Sequence, residues 1–164
     1  MDLHHHWPQI KRLFVHTLRT SMHYAIVSVD EEGLPHATPI GSLILTEPGK
    51  GYYFEVFTNK MPRNLANQSQ VCVMAIDSSK WAWLKALLRG RFGRPPGVRL
   101  YGVAGPRREA TTEERNRWQH RVRHLRWTKG YKRLWQDLRY VRDIEFNRVD
   151  PVQIGILTRG LWRK

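Results

Sequence analysis

The sequence has 164 residues, which is enough for one domain with a hydrophobic core and too few for two. Hydrophobic residues make up 41%, which excludes a disordered chain, and no apolar run approaches the roughly 20 residues of a membrane span. The net charge is +14, and residues 89–148 contribute most of it, with 17 Lys and Arg against 6 Asp and Glu. Such a surface attracts anions, but charge alone does not distinguish a phosphorylated cofactor from nucleic acid or an acidic membrane.

The single cysteine, Cys72, lies between valines and cannot form an internal disulfide. No apolar signal segment opens the sequence. We therefore expect a cytoplasmic protein with no membrane association.

The first half of the sequence predicts one helix followed by strands. Apolar residues at helical spacing place an N-terminal helix at about 8–20. β-rich runs then follow, separated by glycine-containing turns, at 23–30, 35–46, 52–58 and 71–77. Two of the connections are too short for parallel crossovers, so the pattern predicts an antiparallel meander.

The second half predicts a helix at 81–88, with an apolar stripe, and a fifth strand from Val98 to Ala104 that stops at Gly105-Pro106. Thr111 and Glu114 form a capping-box pattern, which opens a basic helical insertion at about 111–139. Alternating residues then predict strands at 143–147 and 152–156. Closing a sheet of such short strands into a barrel leaves no strand edges unpaired, so a barrel is the expected architecture. We interpret the whole sequence, 1–164, as a single domain of this kind.

The first candidate binding segment joins the third strand to a short helix. Its candidate residues are Phe57, Thr58, Asn59, Lys60 and Arg63. An anion there would meet a hydroxyl, two cations and the free amides of a helix start, which suits a phosphate monoester. An ordinary polar turn would use the same residue types.

The second candidate segment lies in the predicted second strand. Its residues are Thr38, Pro39, Ile40, Gly41 and Ser42. Proline and glycine inside a strand are costly unless the strand is an edge, is bulged or meets another group closely. A flat aromatic ring against the backbone would explain both residues, and so would an irregular edge strand.

Taken in order, these segments resemble the FMN-binding split-barrel superfamily that includes pyridoxamine 5′-phosphate oxidase. The shared features are Gly33-x-Pro35 on a hairpin, an irregular second strand, and a third strand ending in Thr58-Asn59 before a basic residue. The resemblance covers residues 20–78 well and 98–157 loosely. It implies a mainly-β, six-stranded antiparallel Greek-key barrel with peripheral helices.

The resemblance also implies a flavin site. The segment from Thr38 to Ser42 would lie along the ring of FMN, and Phe57, Thr58, Asn59, Lys60 and Arg63 would hold its phosphate. A homodimer with the flavin near its interface is implied on the same basis. Thr38 stands where the pyridoxamine phosphate oxidases carry arginine, so oxidation of vitamin B6 is not implied.

Other chemistry has weaker support in the sequence. His120 and His124 have a metal-ligand spacing, but the cations between them disfavour a metal and no metal is expected. The aromatic residues within the basic insertion resemble those of single-strand binders, yet most share stripes with aliphatic residues, which favours core positions. No side chain is assigned as catalytic.

We therefore expect an FMN-dependent oxidoreductase that transfers hydride to or from a small substrate, which can be anionic. The alternatives are a deazaflavin (F420) or haem in place of FMN, and a flavin carrier or sensor without turnover. An alternative of another class, less favoured, is a basic nucleic-acid-binding module.

Overall fold

The computed structural model describes residues 1–56, 59–135 and 138–161. Seven strands form a single sheet: β1 (Tyr24–Val29), β2 (Pro35–Ile40), β3 (Ile44–Leu45), β4 (Lys50–Phe54), β5 (Gln70–Ile76), β6 (Gly97–Glu109) and β7 (Tyr140–Pro151). Five α-helices surround it: α1 (Trp7–Ser21), α2 (Lys60–Asn67), α3 (Lys80–Arg89), α4 (Thr112–Arg121) and α5 (Lys129–Trp135). None of the helices in these ranges is both long enough and apolar enough to cross a bilayer.

The sheet is curled into a barrel by its own connectivity. The strand order is β2-β1-β5-β6-β7-β4-β3, and every pairing is antiparallel. The two strands at the ends of this order are consecutive in the sequence and are joined by residues 41–43 alone. Four Cα steps reach at most about 15 Å, whereas a flat sheet of seven strands would separate its edges by roughly 29 Å. The antiparallel split-barrel class predicted from the sequence is confirmed, with seven strands in place of six.

Three predicted strands have different bounds in the structure. The third, predicted at 52–58, is β4 and runs from Lys50 to Phe54. The predicted second strand, 35–46, is divided into β2 and β3 at the bend that closes the barrel. β6 continues through Gly105-Pro106, because the pairing with β7 shifts register between Ala104 and Arg107 and β5 no longer flanks it there. A proline costs little at such a bulge.

The prediction of two separate strands at 143–147 and 152–156 was wrong. Residues 143–147 belong to the longer strand β7, which ends at Pro151. The predicted strand at 152–156 is absent from this described region, and residues Gly155–Thr158 form a 3₁₀ turn. Val152 and Ile154 are half-buried and Ile156 is 69% exposed, so the alternation does not correspond to a buried strand face.

The main core fills the barrel and is covered at one end by α1. Ile10 and Phe14 of the helix pack into the same cluster as Ile26, Val73 and Leu100 of the strands. The buried hydroxyl of Tyr24 donates a hydrogen bond of 2.7 Å to the carbonyl of Phe14, and burial raises the pKa of Tyr24 to about 12.

A second core lies between β4 and the basic helical region. Trp118 and Val122 are buried there against Tyr52 and Phe54. The capping box of Thr111 and Glu114 is present at the start of α4. The apolar stripe of α4 is therefore a core face, as its pattern predicted.

Gly102 marks a point where β6 and β7 approach too closely for any side chain. A Cβ on Gly102 would collide with the backbone carbonyl of Glu145, whereas a Cβ on Gly105 would lie 3.7 Å from the carbonyl of Asp143, an ordinary contact. We expect Gly102→Ala to lower the free energy of unfolding by about 1–3 kcal/mol and Gly105→Ala to change it little. Chemical denaturation of both variants measures the difference, and equal stability of the two would contradict the assigned close approach.

Candidate functional site

Helix α2 is fixed to the barrel by its buried face. Met61 and Leu65 are buried in the main core, and the buried amide of Asn64 donates a hydrogen bond of 3.0 Å to the hydroxyl of Ser28 on β1. The helix begins at Lys60, two residues before Pro62, although proline is most common at the first position of a helix. The first turn of α2 is thus held rigidly beside the end of β1.

The described phosphate candidates cluster at this first turn. Asn59, Lys60 and Arg63 are all exposed, and the side chain of Asn59 does not cap the helix, so the first amides of α2 are open to a ligand. Arg63 has no ion-pair or hydrogen-bond partner among the residues that the structure describes. Phe57 and Thr58, the other two candidates, lie outside the described residues.

Lys60 has a partner that the sequence interpretation did not include. Its Nζ lies 3.3 Å from Oδ2 of Asp30, which follows β1. The other carboxylate oxygen of Asp30 accepts hydrogen bonds from the amides of Leu34 and Glu32, and these, with Lys60, hold the pKa of Asp30 below its usual value. The acidic Asp-Glu-Glu-Gly turn was the signal for this role, since an Asp in that position commonly bonds the amides of its own turn.

The ring candidates occupy the open edge of the sheet. β2 pairs with β1 alone, so the missing amide hydrogen of Pro39 costs no ladder hydrogen bond on the open side. A Cβ on Gly41 would lie 3.2 Å from the carbonyl of Met22, so the close approach at this glycine comes from the chain itself. Edge position and this contact account for the proline and the glycine without a ligand.

The side chains along β2 alternate between two faces. Thr38 and Ile40 share a face with Ile26 opposite them, which is the barrel interior, while Ala37 and Pro39 are exposed on the other face. The outer face therefore offers only small or flat side chains, which fits a planar ring. The hydroxyl oxygen of Thr38 is buried without a hydrogen-bond partner among the described residues.

Each candidate segment contacts a residue that lies near the other segment in the chain or in the sheet. At one end, Lys60 reaches Asp30, which directly follows the β1 residue paired with Pro35 of β2. At the other end, the hydroxyl of Ser42 donates to the carbonyl of Phe54 at 3.0 Å and accepts from its amide at 3.1 Å. These contacts place the start of α2 beside the β1–β2 turn and Ser42 beside the end of β4, and they do not by themselves join the strip to the start of α2.

A buried ion pair lies directly before the phosphate segment. The guanidinium of Arg142 on β7 donates to Glu55 at 2.7 Å and to the carbonyl of Gly105 at 2.8 Å, and the side chains of both charged residues are almost completely buried. The hydroxyl of Tyr53 donates to the same carboxylate at 3.4 Å, and burial is the main cause of a raised Tyr53 pKa. Sequence reasoning missed this pair, which fixes the end of β4 two residues before Phe57.

The basic helical region is not simply a solvated face. Arg121 of α4 donates a hydrogen bond of 3.0 Å to the carbonyl of Leu43, next to the ring candidates. Arg108 is bound by the carboxylates of Asp143 and Glu114 at 2.6–3.0 Å, which lowers the pKa of Glu114. Several of the arginines thus act in local structure, and α4 is positioned over the β2–β3 bend.

The histidine pair of the basic region is separated by a helix end. His120 lies in the last turn of α4, whereas His124 lies in the 3₁₀ turn that follows it. Within residues 1–56, 59–135 and 138–161, no three His, Cys, Asp or Glu side chains are grouped so as to hold a metal ion.

Solved structures with the same fold cover most of the chain at low sequence identity. An FMN-binding protein from Syntrophomonas wolfei is 14% identical, with a TM-score of 0.57, over 90% of this chain and 91% of that one. HutZ, a haem storage protein from Vibrio cholerae, is 16% identical, with a TM-score of 0.54, over 92% and 95%. An F420 reductase is 11% identical, with a TM-score of 0.54, over 78% and 88%.

A direct comparison with curated protein sequences finds no match. The sequence profile of the pyridoxamine 5′-phosphate oxidase family, in contrast, matches residues 14–155, which span all seven strands and the whole candidate site. The chain therefore belongs to the pyridoxamine 5′-phosphate oxidase family.

Proposed function

We propose that this protein binds FMN and is an oxidoreductase that transfers hydride to or from a small substrate, which can be anionic. Membership of the family supports a ligand at the barrel surface. The fold is shared with structures described as FMN-binding, as an F420 reductase and as a haem storage protein, so the fold by itself does not select the cofactor.

The observation that carries the proposal is the set of donors at the start of α2. The start of α2, Lys60 and Arg63 provide amides and cations for a doubly charged phosphate, and among the described residues nothing caps the helix start or pairs with Arg63. Haem would offer these groups singly charged carboxylates in place of a doubly charged phosphate. The donor set therefore favours a phosphorylated cofactor, and Asn59, Phe57 and Thr58 would complete its contacts.

When bound, FMN supplies the hydride chemistry, and the residues of this chain bind and orient it. Thr38, Pro39, Ile40, Gly41 and Ser42 would lie along the ring. The small outer face of β2 would admit the ring, while the hydrogen bonds between Ser42 and Phe54 would hold the strip in place. We assign no side chain as a catalytic acid or base, since hydride transfer itself requires none.

The substrate class follows from the charges around the same region. Arg121 is anchored at Leu43, and the exposed Arg117 lies one turn earlier on α4. A positive field beside the bend favours small anionic substrates.

We also propose a homodimer with the flavin near its interface, as the family resemblance implies.

One absorbance spectrum tests the proposal. The purified protein is incubated with FMN, riboflavin, F420 or haem in turn, passed through a desalting column and scanned. We expect retention of FMN with a flavin spectrum and weaker retention of riboflavin, which lacks the phosphate. Retention of haem alone would contradict the proposal, as would a colourless protein whose binding to DNA falls steeply with salt.

Turnover is tested on the same sample. We expect NADH or NADPH to bleach the flavin band under anaerobic conditions. A bound flavin that no nicotinamide reduces would favour the alternative of a carrier or sensor.

A further inference from the structure

Helix α3 presents its apolar stripe to solvent. The helix is regular, with Ser79 capping its start through the amide of Ala82 and Gly90 ending it at a φ of 66°. Its large apolar side chains are nevertheless exposed, with Trp81 at 72%, Leu84 at 45%, Leu87 at 64% and Leu88 at 79%. The apolar stripe that predicted this helix from the sequence faces solvent in the structure.

The opposite face of α3 fixes this orientation. Ala86 is buried, and the indole of Trp83 donates a hydrogen bond of 3.2 Å to the carbonyl of Asp77, directly after β5. Trp83 also packs edge-on against the buried Phe92, with 5.2 Å between ring centres. These contacts leave Trp81 and the three leucines on the outer surface.

Cations lie beside the apolar stripe and at both ends of the helix. With 3.6 residues per turn, Lys85 and Arg89 lie on one flank of the stripe, Lys80 lies at the helix start in line with Leu84 and Leu87, and Arg91 follows the helix. All four are exposed, and none has an ion-pair partner among the described residues. Residues 78–108 contain no Asp or Glu at all. This is the arrangement of helices that lie in the surface plane of a membrane, with cations at the headgroups and apolar side chains below.

We propose that α3 docks this protein on an anionic lipid surface, with Trp81, Leu84, Leu87 and Leu88 entering the headgroup boundary. No span is needed for such adsorption. Charge complementarity favours this occupant over a second copy of the chain, because a two-fold contact through α3 would bring cations that have no ion-pair partner among the described residues face to face. An acidic protein would satisfy the cations, but a tryptophan and three leucines beside lysines and arginines are typical of the lipid interface.

Vesicle sedimentation tests the proposal with the full-length protein. We expect the partition coefficient to be at least about tenfold higher for phosphatidylcholine vesicles containing 30% phosphatidylglycerol than for phosphatidylcholine alone. The double variant Trp81→Ser with Leu88→Ser should bind the anionic vesicles at least about tenfold more weakly. Both side chains are mostly exposed, so the variant is expected to unfold at the wild-type midpoint.

The matched control is Trp127→Ser, because Trp127 is 86% exposed and lies beside the exposed Arg123 and Arg126. It should bind as the wild type does. Equal binding of the double variant and the wild type would overturn the proposal, and so would an equal loss in Trp127→Ser. Light scattering measures the oligomeric state of both proteins. If the wild type does not bind vesicles and the double variant is a monomer where the wild type is a dimer, α3 contacts a second copy of the chain and the proposal is wrong.

Discussion

Replacing Lys60 and Arg63 by alanine together is expected to raise the Kd for FMN by about 100-fold. Each cation would make a charge-assisted contact with the phosphate, and the amides of α2 alone would remain in the double variant. This change in Kd is at the lower end of the range for two charge-assisted contacts, because both side chains are exposed and solvent screens their charges. Titration by quenching of flavin fluorescence measures the Kd.

Riboflavin separates loss of the phosphate contact from general damage. Because it has no phosphate, its Kd should be nearly the same in the wild type and the variant. A variant with Lys50→Ala and Arg148→Ala removes the same two charges elsewhere on the barrel, where both residues are exposed and ion-paired. It should retain wild-type affinity for FMN. Unchanged FMN affinity in the Lys60 and Arg63 variant would refute the phosphate assignment.

Replacing Arg142 by methionine is expected to lower the free energy of unfolding by about 3–5 kcal/mol. The side chains of Arg142 and Glu55 are 9% and 3% exposed, so the substitution leaves a buried carboxylate whose remaining cation among the described residues is Arg107, at 4.0 Å and 55% exposed. It also removes the hydrogen bond to the carbonyl of Gly105. Urea denaturation, followed by circular dichroism, measures the change.

Two further variants identify the cause of that loss. Adding Glu55→Gln to Arg142→Met removes the charge of the buried Glu55 carboxylate and should recover part of the lost free energy of unfolding. Arg148→Met breaks an exposed ion pair with Asp150 on the same strand and should cost far less. If the double variant is as unstable as Arg142→Met alone, the buried carboxylate is not the source of the loss.

The pair also links stability to the proposed site. Glu55 directly follows β4, and the phosphate segment begins two residues later. Loosening of the Glu55 position should therefore weaken FMN binding in Arg142→Met even at temperatures where the variant remains folded.

Local patterns in the sequence were sufficient to predict most of the elements. β-rich runs and glycine-containing turns indicated the strands that became β1, β4 and β5, and their short connections indicated antiparallel pairing. The capping box at Thr111 located the start of α4 within one residue. These features depend on neighbours a few positions apart, which is the range over which capping, turn geometry and periodicity act.

The same patterns misjudged positions where a distant segment sets the outcome. Gly105-Pro106 looks like the end of a strand, but β7 continues alongside it and a bulge absorbs the irregularity. The apolar stripe on α3 is of the kind that commonly packs on a core, but the covered side chains of this helix are Trp83 and Ala86. Periodicity identifies which side chains share a face and not which face is covered.

The sequence by itself determined the family, the antiparallel barrel class and the candidate segments of the binding site, because each is carried by residues close together in the chain. Tertiary structure alone decided the closure at residues 41–43, the salt bridge between Lys60 and Asp30, and the pairing of Glu55 with Arg142 across 87 positions. The free energy of such contacts depends on burial and on the approach of segments that are distant in the sequence. Neither can be predicted from the spacing of residue types along the chain.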